Sequence, residues 1–403
     1  MAQPGGHLDA SQQKVVLIHY GEIALKGKNR SFFEKRLARN IKTVLASVGS
    51  AKVERLYGRF IVSFSPPVPE DRVVRKRLER VFGIANFSFA VSVPQDLTAI
   101  KAAAWDCLKD ETFDSFKISA SRAEKHFPLN SVEINREVGA HVQQHCNKRV
   151  DLNNPDCTCF IELVANRALV YCEKILGLRG LPVGVSERAV SLLSSGIDSP
   201  VASYLMLKRG VDLVYVHFHS QPFTDQASQE NAARLVQVLS RYQYRAKIFF
   251  VPFIEIQKQI MTSAPAELRV LLYRRYMLRL AERIAGAEKA RALVTGDSVG
   301  QVASQTLSNL RAVSEAAHLP ILRPLAGYDK EEIVEKAREI GTFEISIAPY
   351  DDCCSLFVPR NAETRAHPRA IHAAERRLEL DELMMQALER AEVRIIEMEL
   401  EEA

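Results

Sequence analysis

The sequence lacks features that would assign it to several common protein classes. Its apolar runs, such as Val15–Ile18, are too short to cross a bilayer, so we expect no membrane span. The first seven residues have neither a basic region nor an apolar stretch, so we expect no secretory signal and a cytoplasmic location. No Cys-x-x-Cys pair offers a conventional zinc or iron–sulfur half-site, and seven cysteines is an odd number. We therefore expect free thiols, no disulfide framework and no protein-bound metal site.

What is present is typical of a globular protein with a basic front half. The 403 residues are 47% hydrophobic and 26% charged, and this length predicts two to four domains, of which we expect three. Residues 1–183 carry 27 Lys and Arg against 19 Asp and Glu, a balance of +8. Such an excess supports a polyanionic partner, although a modest excess is more often only a solvated surface.

The pattern of predicted elements changes along the chain. Two α+β units are predicted up to the glycine-rich stretch at 177–184. Beyond it, a strand over 189–193, a helix over 200–208 and a strand over 211–218 follow one another, and this order predicts a doubly wound parallel sheet. Residues 370–397 are predicted to form one final acidic helix.

The hexamer Ser194–Ser199 lies between the first of these strands and the helix. Backbone N–H groups at such a strand end, followed by a helix N-terminus, form a site for phosphate. The Walker pattern G-x-x-x-x-G-K-[ST] is absent, so a nucleotide kinase or GTPase loses its main support. The alternative is an ordinary polar turn capped by Ser194 or Asp198.

The hexamer resembles the pyrophosphate loop, S-G-G-x-D-S, of the ATP pyrophosphatase superfamily. Ser195 stands where that loop has its second residue, a glycine. If this position needs a positive φ or a close backbone approach, the serine costs about 1–2 kcal/mol or crowds the phosphate.

Further segments narrow the resemblance to one family, the tRNA 4-thiouridine synthetases. They are Gly21–Arg30, Val81–Ile84, Thr295–Gln305 and Asp352–Pro359. The resemblance implies an N-terminal ferredoxin-like domain over 1–78, a tRNA-binding THUMP domain over 79–183 and the ATP pyrophosphatase domain over 184–403. We expect a form without the C-terminal rhodanese domain that some members add.

The resemblance also implies an ATP site, with Mg²⁺ as a further cofactor. Its residues are expected to be Leu192, Leu193, Ser194, Ser195, Gly196, Asp198, Ser199, His217, Phe218, Arg274, Gly296 and Gln305. Asp198 is expected to assist magnesium or to cap the helix, and Lys330 to lie near the phosphates or on the surface. His217 alone would be interpreted as a core histidine.

The remaining implied residues serve tRNA binding and sulfur transfer. The candidate tRNA contacts are Lys26, Lys28, Arg30, Arg122 and Lys125, each of which is also compatible with a solvated basic loop. Cys353 and Cys354 are the only cysteines of the predicted pyrophosphatase domain and are expected to carry the sulfur step, with Cys354 favoured. The alternative is a buried pair of thiols in a loop.

The implied reaction adenylates O4 of a uridine, at position 8 of tRNA, and replaces that oxygen with sulfur. It needs ATP and a persulfide donor, for which a cysteine desulfurase is the expected partner. A homodimer and a second role in sulfur supply for thiamine thiazole are also compatible with the resemblance. Two alternatives stay open: another tRNA thiolase of the same superfamily, and an RNA-binding protein whose serine-substituted loop no longer turns over ATP.

Overall fold

A computed structural model of the chain describes residues 13–123, 126–223, 226–349 and 363–399. The chain divides into two units, residues 1–180 and 181–403. None of the described helices is both long and apolar enough to span a membrane.

The first unit is built on one nine-stranded sheet with four helices. Its strands are β1 Gln13–Tyr20, β2 Ala51–Leu56, β3 Arg59–Phe64, β4 Ile84–Pro94, β5 Ser115–Arg122, β6 Arg149–Val150, β7 Cys157–Val164, β8 Arg167–Tyr171 and β9 Ile175–Leu176. Its helices are α1 Arg30–Leu45, α2 Asp71–Leu78, α3 Leu97–Leu108 and α4 Ser131–Cys146. The strand order is β2-β3-β1-β4-β8-β7-β5-β6, with β9 paired to β4. Strands from both sides of the predicted domain boundary between residues 78 and 79 belong to this one sheet. The position of that boundary remains a prediction.

A buried carboxylate joins the strands of this sheet. Glu162 on β7 is only 8% exposed and contacts His19, Arg59 and Tyr171 from three other strands. Burial raises the pKa of Glu162, but hydrogen bonds and charges from these partners outweigh it and lower the pKa to about 2. The carboxylate therefore stays ionised and holds the centre of the sheet together.

The second unit contains the predicted parallel sheet, covered by helices. Its strands are β10 Arg188–Leu192, β11 Asp212–His219, β12 Arg245–Pro252, β13 Ala292–Val294, β14 Ile321–Leu322 and β15 Glu392–Glu397. Its helices are α5 Asp198–Lys208, α6 Ala227–Gln243, α7 Ile254–Ser263, α8 Arg269–Ala287, α9 Leu307–Ser314, α10 Lys330–Ile340, α11 Phe343–Ser346, α12 Pro368–Glu375 and α13 Asp381–Glu389. The strand order is β14-β13-β10-β11-β12-β15, and β10 to β14 run parallel. The chain first builds outwards from β10 to β12 and then returns to the other side of β10, so the order reverses beside β10.

The prediction of one acidic helix over 370–397 is wrong. The segment instead forms the end of α12, then α13, and finally β15, which pairs antiparallel with β12 at the edge of the sheet. The sequence Glu392-Val-Arg-Ile-Ile-Glu397 contains β-branched residues that suit a strand, and an open sheet edge supplies the partner. Tertiary pairing therefore overrides the helical pattern.

A fully buried arginine fixes the helices behind this sheet. Arg275 on α8 donates two hydrogen bonds of 2.8 Å to the carboxylate of Glu375 on α12 and a third to the carbonyl of Ala312 on α9. Burial raises the pKa of Glu375, yet its ion pairs with Arg275 and Arg279 keep that pKa below its ordinary value. This network holds α8, which borders the site described next.

Candidate active site

A cavity of about 330 Å³ opens at the carboxyl ends of the parallel strands, where the strand order reverses. Ligands of doubly wound sheets bind at such a position. The lining of the cavity contains both apolar and polar residues. The apolar lining consists of Leu192, Leu193, Val216, Phe218, Val270, Met277, Leu278, Val302 and Val313. The polar lining consists of Ser194, Asp198, Ser199, His217, Arg274, Thr295, Gly296, Asp297, Ser304, Gln305 and Arg323.

The loop after β10 forms one wall of this cavity. The Ser199 hydroxyl accepts a hydrogen bond from the Ser194 N–H at 3.0 Å and lies 3.1 Å from the Ser194 carbonyl oxygen, to which it donates. This closes the loop into a compact turn. Helix α5 then begins at Asp198, and Ile197, which precedes it, makes no side-chain cap. The first N–H groups of the helix therefore meet the loop without a capping side chain, as an anion site requires.

Ser195 fits the loop without strain. Its φ is not positive, so the loss of stability that a serine would cause at a positive φ does not arise. Its side chain is buried, and its hydroxyl donates to the Ser228 carbonyl at 2.7 Å on α6. The serine thus turns away from the cavity, which neither Ser195 nor Gly196 lines.

His217 supports the loop from the neighbouring strand. Its Nδ1 lies 2.9 Å from the Leu193 carbonyl oxygen and its Nε2 lies 2.9 Å from the Ser228 hydroxyl. Burial lowers the pKa of His217 to about 4, although the hydrogen bond to Leu193 opposes this. A neutral ring then donates from Nδ1 to the carbonyl and accepts at Nε2 from the hydroxyl. His217 lines the cavity, and its contacts fix the backbone at the start of the loop.

Asp198 faces two polar side chains that come from distant segments. Lys330, the first residue of α10, donates to Oδ1 at 2.5 Å, and Gln301 donates to Oδ2 at 2.9 Å. Helix α10 starts there because Asp329 and Glu332 form a reciprocal capping box. The first turn of α10 therefore holds the Lys330 ammonium beside the loop, whereas Lys330 itself does not line the cavity.

The segment after β13 contributes a buried carboxylate to the cavity, Asp297, which was not among the residues predicted from the sequence. We call Asp297 and the residues bonded to it the Asp297 wall. Asp297 is 4% exposed and pairs with both Arg274 and Arg323, and it accepts a hydrogen bond of 2.8 Å from Thr295. Burial raises the pKa of Asp297, but the two guanidinium groups and the Thr295 hydroxyl keep it below its ordinary value. Two arginines share one carboxylate here, so this wall carries a net positive charge.

Arg274 and Gln305, both expected in the site, belong to this wall. Arg274 also donates to the Ser304 carbonyl at 3.1 Å, and Gln305 donates to Asp297 at 3.4 Å. Asp297 and Arg323 were not among the predicted site residues, although the sequence contained a signal for both. Asp297 is the one acidic residue of the segment 295–305, and Arg323 directly follows β14, whose carboxyl end lies at the same edge of the sheet as that of β13.

Gly296 lies against the backbone of the loop. A Cβ atom on this residue would lie 2.8 Å from the Ser199 nitrogen, 2.9 Å from the Ser199 Cα and 3.0 Å from the Asp198 carbonyl carbon. These distances are shorter than real Cβ contacts, and the atoms concerned are backbone atoms that cannot rotate away. Only glycine at this position lets the strand β13 and helix α5 approach so closely.

The other predicted residues are spread over the first unit or lie outside the described residues. Lys26 pairs with Glu22, Lys28 is exposed, and Arg30 donates to the Ala24 carbonyl at 2.8 Å, all around the start of α1. Arg122 on β5 donates to the carbonyl oxygens of residues 127 and 129, at 3.1 and 2.8 Å, so it holds its own loop in place. The predictions for Lys125, Cys353 and Cys354 fall outside the described residues.

Family models match three segments of the chain. Residues 184–380 match the family model described as thiamine biosynthesis protein (ThiI), residues 15–88 match its ferredoxin-like domain, and residues 94–173 match the THUMP domain. A probable tRNA sulfurtransferase of Moorella thermoacetica is 43% identical over 385 residues, which cover 95% of this chain and 98% of that protein. One of Thermus thermophilus is 45% identical over 381 residues, covering 94% of this chain and 92% of that protein.

A solved structure shares the whole architecture. It is the crystal structure of a 4-thiouridine synthetase–RNA complex with bound ATP, with a TM-score of 0.89 and 38% identity. The match covers 96% of this chain and 100% of that chain. Both units therefore have counterparts in that structure.

Proposed function

This chain belongs to the tRNA sulfurtransferase family, and on that premise we propose that it converts a uridine of folded tRNA to 4-thiouridine at the expense of ATP. One observation carries the proposal: a cavity lined by both apolar and polar residues, among them Ser194, Asp198 and Asp297, lies at the switch point of the parallel sheet. The second role in sulfur supply for thiamine thiazole, which the family description suggests, stays a prediction.

The lining of the cavity suits both parts of ATP. Its apolar residues, among them Leu192, Leu193 and Phe218, offer surface for the adenine ring. The start of α5, at Asp198 and Ser199, and the guanidinium of Arg274 offer contacts to the phosphates. We assign Gly296 and Gln305 to shaping the phosphate site, Ser195 and His217 to holding the loop, and Lys330 to the phosphate charge.

Magnesium fits this site through a single carboxylate. Both oxygens of Asp297 are occupied by Arg274, Arg323 and Thr295, which leaves Asp198 beside the loop. Mg²⁺ is often held by one or two carboxylates together with substrate phosphates, so Asp198 would hold it after exchanging Lys330 or Gln301 for the ion. A bound Mg²⁺ would neutralise phosphate charge.

The reaction needs two displacements, because a carbonyl oxygen of uracil is a poor leaving group. In the first, O4 of the uridine attacks the α-phosphorus, and pyrophosphate leaves. In this mechanism the start of α5 and Arg274 stabilise the charge that develops on the phosphates. In the second, the outer sulfur of a cysteine persulfide attacks C4 of the adenylated uracil, and AMP leaves. A second thiol then attacks the cysteine sulfur of the resulting C4–S–S–cysteine linkage, so the S–S bond breaks, 4-thiouridine is released and the two thiols are left as a disulfide. The loop keeps the AMP end in place between the steps.

We assign the sulfur step to Cys353 or Cys354, with Cys354 favoured. They are the only cysteines of residues 184–403, and only a thiolate is a competent nucleophile. A cysteine desulfurase would supply the persulfide. Cys353→Ser and Cys354→Ser should separate the two steps: at least one variant should lose sulfur transfer while it still adenylates tRNA. Full thiolation by both variants with a protein persulfide donor would refute the assignment.

We propose that residues 1–183 hold the tRNA, since the positive charge excess and the THUMP match both lie there. Lys26, Lys28 and Arg30 lie together around the start of α1 and offer contacts to phosphates. Arg122 and Lys125 remain predicted contacts, although the two carbonyl acceptors of Arg122 favour a supporting role. Position 8 of tRNA, a cytoplasmic location and a homodimer stay predictions.

The sequence left two alternatives open. The first, an RNA-binding protein that does not turn over ATP, depended on strain at Ser195 in the loop. Ser195 shows no such strain. The second alternative was another tRNA thiolase of the same superfamily. The matching relatives are named as probable tRNA sulfurtransferases, and none of them supports that alternative. The test is mass spectrometry of nucleosides in tRNA from host cells with and without the gene. 4-Thiouridine should disappear without the gene and return with the intact chain, and its persistence without the gene would contradict the proposal.

A further inference from the structure

Four cysteines of the first unit lie in one cluster. Cys107 lies at the end of α3, Cys157 and Cys159 alternate along β7 and so share one face of the sheet, and Cys172 directly follows β8. The antiparallel register of β7 and β8, continued by one position, places Cys172 opposite Cys159. Helix α3 packs on these strands. Three separate elements therefore bring the four thiols into contact.

Within the cluster, Cys107 and Cys172 are in direct contact. Their Sγ atoms lie 2.6 Å apart, and both residues are half-buried. A disulfide needs about 2.05 Å, so a small movement joins them. Cys159 is buried, and Cys146 in the same unit instead directs its thiol to the Val142 carbonyl at 3.2 Å.

The surroundings of the pair make its two thiols unequal. Hydrogen bonds from Cys159 and Cys172 hold the pKa of the Cys107 thiol well below its ordinary value, although burial opposes this. Hydrogen bonds to Cys107, Cys157 and Cys159 raise the pKa of Cys172. Such an arrangement provides one thiolate as nucleophile and one thiol that keeps its proton until the second step.

We propose that Cys107 and Cys172 form a reversible redox-modification site, at which a small-molecule disulfide oxidises the two thiols to an intramolecular disulfide. The Cys107 thiolate attacks one sulfur of the reagent and expels a thiolate, which leaves a mixed disulfide on Cys107. Cys172 then loses its proton and attacks Sγ of Cys107, and the second reagent thiolate leaves. The protein loses two electrons and two protons, and the reagent becomes two thiols.

The bond would join the end of α3 to the residue after β8 and close a loop that contains α4 and the strands β5, β6, β7 and β8. A cross-link over a long loop restricts the unfolded chain, so the oxidised protein should unfold at a higher temperature. None of these four cysteines lines the cavity of the second unit. Among the described residues, no group of three or more metal-ligating side chains is arranged to hold a metal ion.

The test uses the full chain, incubated with reduced or oxidised glutathione, then alkylated, digested and mapped by mass spectrometry. With oxidised glutathione, the Cys107 and Cys172 peptides should appear as one cross-linked species that dithiothreitol reverses, while Cys146 stays alkylated. Cys107→Ser should abolish the cross-link and the rise in unfolding temperature, and the control Cys146→Ser should preserve both.

Three results would overturn the proposal. They are complete alkylation of Cys107 and Cys172 after oxidation, a dominant cross-link of Cys172 to Cys157 or Cys159, or one zinc ion per chain protecting these thiols in the purified protein. If Cys107→Ser does not fold, the peptide map of the unchanged protein still decides between these results.

Discussion

Gly296→Ala tests whether the approach of β13 to the start of α5 controls activity. The added Cβ would lie 2.8 Å from the Ser199 nitrogen, while ordinary contacts begin at 3.4 Å, so the backbone must move by roughly 0.6 Å. Overpacking of this kind costs about 1–3 kcal/mol of stability. Because a displacement of about 1 Å at a reacting group can lower a rate about 100-fold, we expect thiolation to fall by about 10- to 100-fold.

The control for this variant is Gly286→Ala. Gly286 lies near the end of α8, and nothing lies within 4 Å of its added Cβ, so the change should leave activity intact. Thermal unfolding and the rate of 4-thiouridine formation would be measured for both variants, with tRNA affinity as a third readout that neither should change. Wild-type rate and unfolding temperature in Gly296→Ala would show that the close approach is not needed and refute the reasoning.

Three further predictions concern charge, pH and RNA binding. Lys330→Ala should lower the thiolation rate by about 100-fold or more, because a preorganised cation beside Asp198 is lost. The control Lys336→Ala, on the same helix, should keep the wild-type rate, and equal rates of the two variants would refute the role of Lys330 at the phosphates. Burial lowers the pKa of His217 to about 4, so the free energy of unfolding should fall by up to ~3 kcal/mol as the pH drops from 6.5 to 4. Unfolding of His217→Gln, measured over the same pH range, should show a smaller fall, and an equal fall would contradict this role of His217. A fragment of residues 1–183 should bind folded tRNA with a steep salt dependence, which equal binding by the remaining residues would contradict.

The sequence predicted the parts of the site that depend on local order along the chain. Loop 194–199 follows a strand and precedes a helix, and this order alone places it at the carboxyl edge of a parallel sheet. Ten of the twelve residues expected to bind ATP line one cavity, because β10, β11 and β13 end at the same edge of the sheet and α5 and α8 reach that edge. Whether these residues bind ATP stays a prediction.

What the sequence did not predict depends on contacts between distant segments. Asp297 is a single acid in a loop until Arg274 and Arg323 arrive from a helix and a strand end. The conformation of Ser195 depends on Ser228, which lies on another helix. Strand β15 forms because β12 offers an open edge, and the four-cysteine cluster needs α3 to pack on β7 and β8. None of these partners can be identified from spacing alone.

The most direct test of the central claim is thiolation by the purified chain. Unmodified tRNA would be incubated with the protein, ATP, Mg²⁺ and a persulfide donor, and its nucleosides would be quantified by mass spectrometry. We expect 4-thiouridine to form only when ATP is present, and Asp198→Ala to abolish its formation while tRNA affinity stays nearly unchanged. Formation of 4-thiouridine without ATP, or at an unchanged rate in Asp198→Ala, would contradict the assignment of the loop 194–199 as the ATP site.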